Sequence, residues 1–133
     1  MMLIRLMVAV SFILAAHSAV AVQLDEAMKQ KLRYLSQRQA VLAENIANAN
    51  TPGYKAKDLE PIEFGTPYAN KKKYKVIEQR TTYETKPDGN NVSLEEQMMK
   101  MSQNSIEHNA TLGMVRKMKD LMGLALGTPS GGQ

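Results

Sequence analysis

The sequence predicts a mainly α-helical protein in which two long terminal helices pair as a coiled-coil hairpin, with an irregular middle segment or short β-hairpin between them. Apolar residues recur at steps of three, four and seven over residues 24–50 and 93–127, which places them on one face of a helix. The middle segment, residues 54–92, is instead punctuated by Pro and Gly, and its short runs are rich in Tyr, Thr, Val and Ile. Loops and short strands have that composition.

The composition sets limits on function. With 133 residues, no Trp, two Phe and ten Met, the chain can build one small domain but no large independent core. Met side chains adapt to irregular surfaces, so a Met-rich seam favours adaptable helix contacts. The absence of Cys excludes disulfides and thiolate metal sites. The net charge of +4 is concentrated in residues 71–75, with Glu residues nearby, which indicates a solvated loop rather than a nucleic-acid surface.

Residues 1–21 have the pattern of a secretory signal peptide. A weakly positive start precedes an apolar run over residues 6–16, and Ala19-Val20-Ala21 fits the small-x-small cleavage rule. The apolar run is shorter than the roughly 20 residues that span a bilayer. A true start at Met7 or Met28, or a hydrophobic first turn of the helix, is the alternative interpretation.

Residues 22–53 are predicted to form the first helix, over residues 24–50, and the turn that ends it. Pro52 disfavours the α conformation at Thr51. The pair Pro52-Gly53 favours a type II turn, in which Gly53 takes a positive φ.

The second helix is predicted over residues 93–127, followed by a flexible tail at residues 128–133. The segment Ser93-Leu94-Glu95-Glu96 predicts a capping box, in which the Ser93 hydroxyl accepts from the Glu96 amide and the Glu96 side chain reaches back. Polar residues interrupt both apolar seams, as is typical of helices that assemble with partners. The interruptions are Lys31 and Gln39 in the first helix and Ser105, His108 and Lys119 in the second.

Two short strands are predicted within the middle segment, at residues 74–77 and 81–85, paired across residues 78–80. A lone two-stranded hairpin is marginally stable in water. The region is therefore expected to be loosely ordered or to be completed by a neighbouring subunit.

No arrangement of residues typical of catalysis or metal binding is present in the sequence. His17 lies in the predicted signal, and His108 has no second His at the spacing of a zinc site. The serines lack a neighbouring base or a Gly-rich elbow. The segment 88–90 lacks the alternating oxygen ligands of a calcium loop. The sequence thus predicts no enzyme, metal, cofactor or small-molecule substrate.

The stretch Asn45-Ile46-Ala47-Asn48-Ala49-Asn50-Thr51-Pro52-Gly53-Tyr54, together with its flanks at residues 35–44 and 55–58, closely resembles the N-terminal signature of the flagellar basal-body rod proteins, the proximal-rod type in particular. The resemblance implies a structural subunit of the periplasmic rod, whose helix hairpins pack side by side into a hollow tube. It implies other rod proteins and the membrane-ring adaptor as partners in a multi-subunit assembly, and no nucleic acid. Such proteins usually leave the cell through the flagellum's own type III channel, so residues 1–21 depart from the family pattern.

The three asparagines near the end of the first helix are poor helix formers. They either mark a fraying helix end or hydrogen-bond to adjacent subunits and fix their register, and the resemblance favours the second interpretation. The competing hypothesis for the whole chain is a small periplasmic helical hairpin that binds peptides as a chaperone does. Besides the turn residues Pro52 and Gly53, the predicted assembly residues are Leu35, Leu42, Asn45, Ile46, Asn48, Asn50, Met101, Leu112, Val115 and Met122.

Overall fold

Two long helices and two short strands make up the computed structural model, which describes residues 2–63, 74–79, 85–125 and 127, and side chains from residue 22 onward. Helix α1 spans Met2–Ala47 and helix α2 spans Leu94–Ala125, with strands β1 (Lys57–Leu59) and β2 (Val76–Glu78) between them. The helices run antiparallel and pack against each other. The prediction of a mainly α chain with two packed helices and a short strand pair is confirmed, while the predicted tail lies outside the described residues.

Helix α1 begins well before the predicted start and ends earlier than predicted. It runs unbroken through the predicted cleavage site at residues 19–21, and whether that site is cleaved stays a prediction. At its end near Ala47, the Asn48 side chain donates through Nδ2 to the Glu44 carbonyl at 2.9 Å. Such side-chain bonds to the backbone compete with further helical turns. Within the described part of the chain, no helix has the length and apolar character needed to cross a membrane.

The Pro-Gly turn after α1 forms as predicted. Gly53 has a φ of 74°, and the Tyr54 amide donates to the Thr51 carbonyl at 3.2 Å. These are the features of a type II turn with Gly at its third position. The turn directs the chain back along α1 into β1.

Strand β2 has a different partner from the predicted one. Its residues 76–78 overlap the predicted strand at 74–77, but they pair antiparallel with β1, with Lys57 opposite Glu78 and Leu59 opposite Val76. Packing explains this choice, since Leu59 and Tyr74 are buried together against Val41 of α1. Most of the other predicted strand, residues 81–84, lies outside the described residues.

Among the described residues, the buried apolar side chains include two small clusters at the turn end of the hairpin, together with Leu35 and Leu42 of α1. One cluster contains Val41, Leu59 and Tyr74. The Tyr34 ring packs edge to face on the Tyr74 ring, with 5.3 Å between the two ring centroids. The other is built by Ala49, Ala56 and Val92. The core is as limited as the composition predicted, so polar contacts carry much of the packing between elements.

Only half of the predicted capping box forms at the start of α2. The Glu96 amide donates to the Ser93 hydroxyl at 3.4 Å, as predicted. The Glu96 side chain does not return to the cap, because its Oε1 accepts from Gln79 Nε2 at 2.7 Å and from Lys100 Nζ at 2.8 Å. Its carboxylate therefore ties α2 to the residue that follows β2.

Gly53→Ala should destabilise the fold by about 1–2 kcal/mol, because a Cβ at positive φ is strained. Nothing lies within 4 Å of that Cβ, so the cost comes from the backbone alone. Gly113→Ala is the matched control: this helical Gly is equally open, and Ala should stabilise it by up to about 1 kcal/mol. Urea denaturation followed by circular dichroism measures both, and similar midpoints for the two variants would contradict the turn assignment.

Candidate assembly site

The side chain of Asn45 joins three elements at the turn end of the hairpin. Its Nδ2 donates to the Lys57 carbonyl at 2.7 Å and to Gln97 Oε1 at 2.8 Å. Its Oδ1 accepts from the Lys57 amide at 2.9 Å and from the Tyr54 hydroxyl at 3.2 Å. An amide side chain has two donor and two acceptor positions, so this buried side chain is fully satisfied. It fixes how α1, β1 and α2 meet.

A second buried amide, Asn90, closes the end of α1. Its Nδ2 donates to the carbonyls of Asn48 and Thr51 at 3.0 and 2.8 Å, and its Oδ1 accepts from the Val92 amide at 2.7 Å. Lys86 Nζ reaches the Ala49 carbonyl at 2.8 Å. These carbonyls belong to the turn that follows α1, so the segment before α2 holds that turn in place.

Helix α2 turns a polar face towards α1. Gln97, Asn104 and Thr111 recur every seven residues and are 0, 1 and 4% exposed, and all three lie on one face of the helix. Asn104 Nδ2 donates to the Leu35 carbonyl at 2.9 Å and to Gln39 Oε1 at 2.7 Å. We call these three residues the polar ladder. Apolar periodicity does not reveal the polar ladder, although the sequence shows these polar residues at a spacing of seven.

The apolar seam predicted for α2 borders the polar ladder and is only partly buried. Leu94, Met98 and Met122 are 45, 58 and 43% exposed, and the other members are half-buried. Exposed apolar side chains in a row are typical of interaction surfaces. This surface is called the α2 stripe, and its described members are Leu94, Met98, Met101, Leu112, Val115 and Met122.

The predicted assembly residues occupy three kinds of position. Leu35, Leu42 and Asn45 are buried inside the single chain, so direct contact of these side chains with another subunit requires the hairpin to open. Ile46 and Asn48 are half-buried, and Asn50 is exposed. The remaining four, Met101, Leu112, Val115 and Met122, belong to the α2 stripe. Their assignment to an interface between subunits stays a prediction.

A partly buried ion pair fastens β1 to α1. Arg38 Nε and Nη2 donate to the two carboxylate oxygens of Asp58 at 2.8 and 2.9 Å, and the Leu59 amide adds a bond of 2.8 Å to Asp58 Oδ1. Burial acts to raise the pKa of Asp58, but these hydrogen bonds outweigh it and the pKa lies below its usual range. The hydrogen bond to Asp58 raises the pKa of Arg38.

Metal binding finds no support in the described part of the chain. Across residues 22–63, 74–79, 85–125 and 127, no three His, Cys, Asp or Glu side chains are grouped so that they could hold a metal ion. The arrangement of side chains instead serves to join helices and strands.

Comparison with known proteins relates these features to one family. Residues 32–55, which include Asn45 and the Pro-Gly turn, match the family model of the flagella basal body rod protein. The flagellar basal body rod protein FlgB of Buchnera aphidicola is 33% identical over 116 residues, covering 71% of this chain and 87% of that protein. FlgB of Escherichia coli is 26% identical, covering 75% and 95%. FlgB of Agrobacterium fabrum is 52% identical over 42 residues, which is 32% of this chain and 31% of that protein.

Asn45→Asp should lower the free energy of unfolding by about 2–4 kcal/mol, because two donors are lost and a buried carboxylate faces carbonyl oxygens. Asn50→Asp makes the same chemical change at an exposed position and should alter stability by no more than about 0.5 kcal/mol. Urea denaturation midpoints compare the two variants. Equal midpoints would show that Asn45 does not hold the elements together.

Acid should weaken the Arg38–Asp58 contribution to stability. Because the folded pKa of Asp58 is depressed, its contribution is complete above the unfolded pKa of about 3.9 and is lost as the pH falls through the lower folded value. The difference in unfolding free energy between the wild type and Asp58→Ala should be about 1–2 kcal/mol at neutral pH and should shrink below about pH 4.

The control for this pH series is Glu60→Ala. Glu60 pairs with Lys75 at 3.5 Å, and the two side chains are 49 and 67% exposed, so its removal should cost less than about 1 kcal/mol. A difference for Asp58→Ala that stays constant down to pH 2 would contradict the role of the Asp58 carboxylate.

Proposed function

Because the chain belongs to the flagellar basal body rod protein family, we propose that the α2 stripe is the surface through which this rod subunit assembles. The protein is a structural subunit of the rod of the bacterial flagellar basal body. The observation that carries the proposal is the exposure of apolar side chains along α2, since Leu94, Met98 and Met122 are 45, 58 and 43% exposed. Gln97 and Asn104 of the polar ladder hydrogen-bond to α1, and Met101, Leu112 and Val115 of the stripe are half-buried.

The α2 stripe has the chemistry of an assembly surface. Full burial of one Leu or Met side chain contributes about 1.5–3 kcal/mol. Association of two chains costs roughly 4–15 kcal/mol in lost freedom of motion, so several members of the stripe must be buried together. Steps of three and four along α2 suit the packing of a neighbouring helix as a coiled coil. Met98 and Met101 can adapt to neighbours that differ in sequence.

The partners in this proposal are helices of other rod proteins and of the membrane-ring adaptor. The family resemblance supports hairpins packed side by side around a hollow tube in the periplasm. The chain also exposes Val22 and Leu24 near the middle of α1, at 62 and 47%, and Leu121 and Leu124 of α2 at 67 and 71%. These residues extend the apolar surface away from the turn, which supports contact with more than one neighbour.

A periplasmic rod subunit must be exported, and we assign that step to residues 1–21 acting as a signal peptide. Cleavage after Ala21 would leave a mature chain that begins at Val22 and keeps every described side-chain contact of the hairpin. N-terminal sequencing of the protein from purified basal bodies checks this assignment. A chain that begins at Met1 would contradict it and would favour export through the flagellar channel.

Met98→Asp should block assembly while leaving the fold intact. Met98 is 58% exposed, so a charge there should change the stability of the free chain by no more than about 0.5 kcal/mol, yet it would be buried unpaired in an assembled rod. Circular dichroism measures the fold, and motility and the protein content of purified basal bodies measure assembly.

The matched control is Gln103→Asp, an exposed position of the same helix outside the α2 stripe. This variant should assemble as the wild type does. Normal incorporation of Met98→Asp, or equal loss of both variants, would contradict the assignment of the stripe as the assembly surface.

A further inference from the structure

A polar groove of about 360 Å³ lies between α1 and α2, beside the polar ladder. Ser36 Oγ and His108 Nε2 are 3.5 Å apart across it. Among the residues that the structure describes, no Lys, Arg, Asp or Glu lines the groove, and its hydrogen-bonding groups are amides, hydroxyls and an imidazole. Its polar lining residues are Ser36, Gln39, Asn104, Ser105, His108 and Asn109.

One lining residue carries a buried acceptor that the described residues leave unused. Asn104 is 1% exposed and donates through Nδ2 to the Leu35 carbonyl and to Gln39 Oε1. Its Oδ1 is buried and has no hydrogen-bond partner among the described residues. Native proteins seldom leave such an atom without a donor, and Asn104 lines the groove, so a group that enters the groove lies beside this side chain.

The groove also falls at a particular place along the α2 stripe. Ser105 and His108 are the polar residues that interrupt the apolar seam of α2, and Gln39 interrupts the seam of α1. Met101 precedes the groove and Leu112 follows it on the same side of α2. A helix that packs along the stripe therefore crosses the groove at the point where the stripe is polar.

We propose that the groove receives one amide side chain, Asn or Gln, from an amphipathic helix of a neighbouring rod subunit, and that this contact fixes the register of that helix on the α2 stripe. An amide supplies the donor that Asn104 Oδ1 lacks, and it can also accept from the hydroxyl groups of the lining. A Lys or Arg side chain fits less well, because a cation loses its hydration there without meeting a carboxylate. A single polar pair inside an apolar seam selects one register over its neighbours.

This inference rests on the proposed function, since it needs the α2 stripe to be covered by a helix. Its test fills the groove without disturbing the core. Ser36 is exposed at the groove, and Ala43 is exposed one heptad further along α1, outside the lining. Ser36→Phe should keep the helix content and the melting temperature of the wild type, yet its incorporation into basal bodies should fall by at least about tenfold through loss of one docking contact. Ala43→Phe should be incorporated normally.

A chemical probe reports directly on the occupancy of the groove. The chain has no Cys, so Asn109→Cys places a single thiol at the groove. Its reaction with a maleimide should be fast in the free chain and strongly slowed in purified basal bodies that contain the variant. Equal reaction rates in the two states would mean that only water fills the groove, and would overturn the inference.

The outcomes also separate this inference from the proposed function. If the wild-type chain is missing from purified basal bodies, both fail. If the wild type is present and Ser36→Phe is incorporated equally well, the groove inference alone fails. If both Phe variants are excluded, bulk anywhere on this face of α1 blocks docking, and a specific role of the groove is refuted.

Discussion

The architecture depends on the buried amide of Asn45 and on the four hydrogen bonds that satisfy it. A donor or acceptor left unpaired in this position costs about 1–3 kcal/mol, so the amide is stable here only while β1 and α2 hold their places. The same bonds therefore hold the strand pair against α1 and fix the position of α2 along α1. The described residues include two small apolar clusters. A polar contact of this kind therefore fixes the relative positions of the helices and strands, as a large apolar core would otherwise do.

Closing the hairpin with polar contacts has a consequence for function. Gln97 and Asn104 of the polar ladder join α2 to α1 through hydrogen bonds, while Leu94, Met98 and Met122 of the α2 stripe remain exposed. Buried polar contacts are also specific, because a shift of one residue leaves donors and acceptors unpaired. The hairpin thus has polar contacts that fix its geometry and still exposes apolar side chains on α2.

The sequence was sufficient for the helices and the turn, because these follow from local rules of periodicity and backbone conformation. The turn at Pro52-Gly53 is the clearest case, since Gly53 takes the predicted positive φ. Strand pairing was not predictable in the same way: β1 is three residues long, and packing of Leu59 and Tyr74 decides its partner. The role of Asn45 inside the chain was also hidden, since its partners Lys57 and Gln97 are distant in sequence.

The central claim is that polar contacts close the hairpin and leave the α2 stripe for neighbouring subunits. A density map of the purified basal body at side-chain resolution tests it most directly. We expect the Asn45–Gln97 contact to be retained in the assembled rod, with Met98, Leu112 and Met122 packed against helices of other chains. A map in which these three side chains face solvent, or in which α2 leaves α1 and the Asn45–Gln97 contact is broken, would contradict the account.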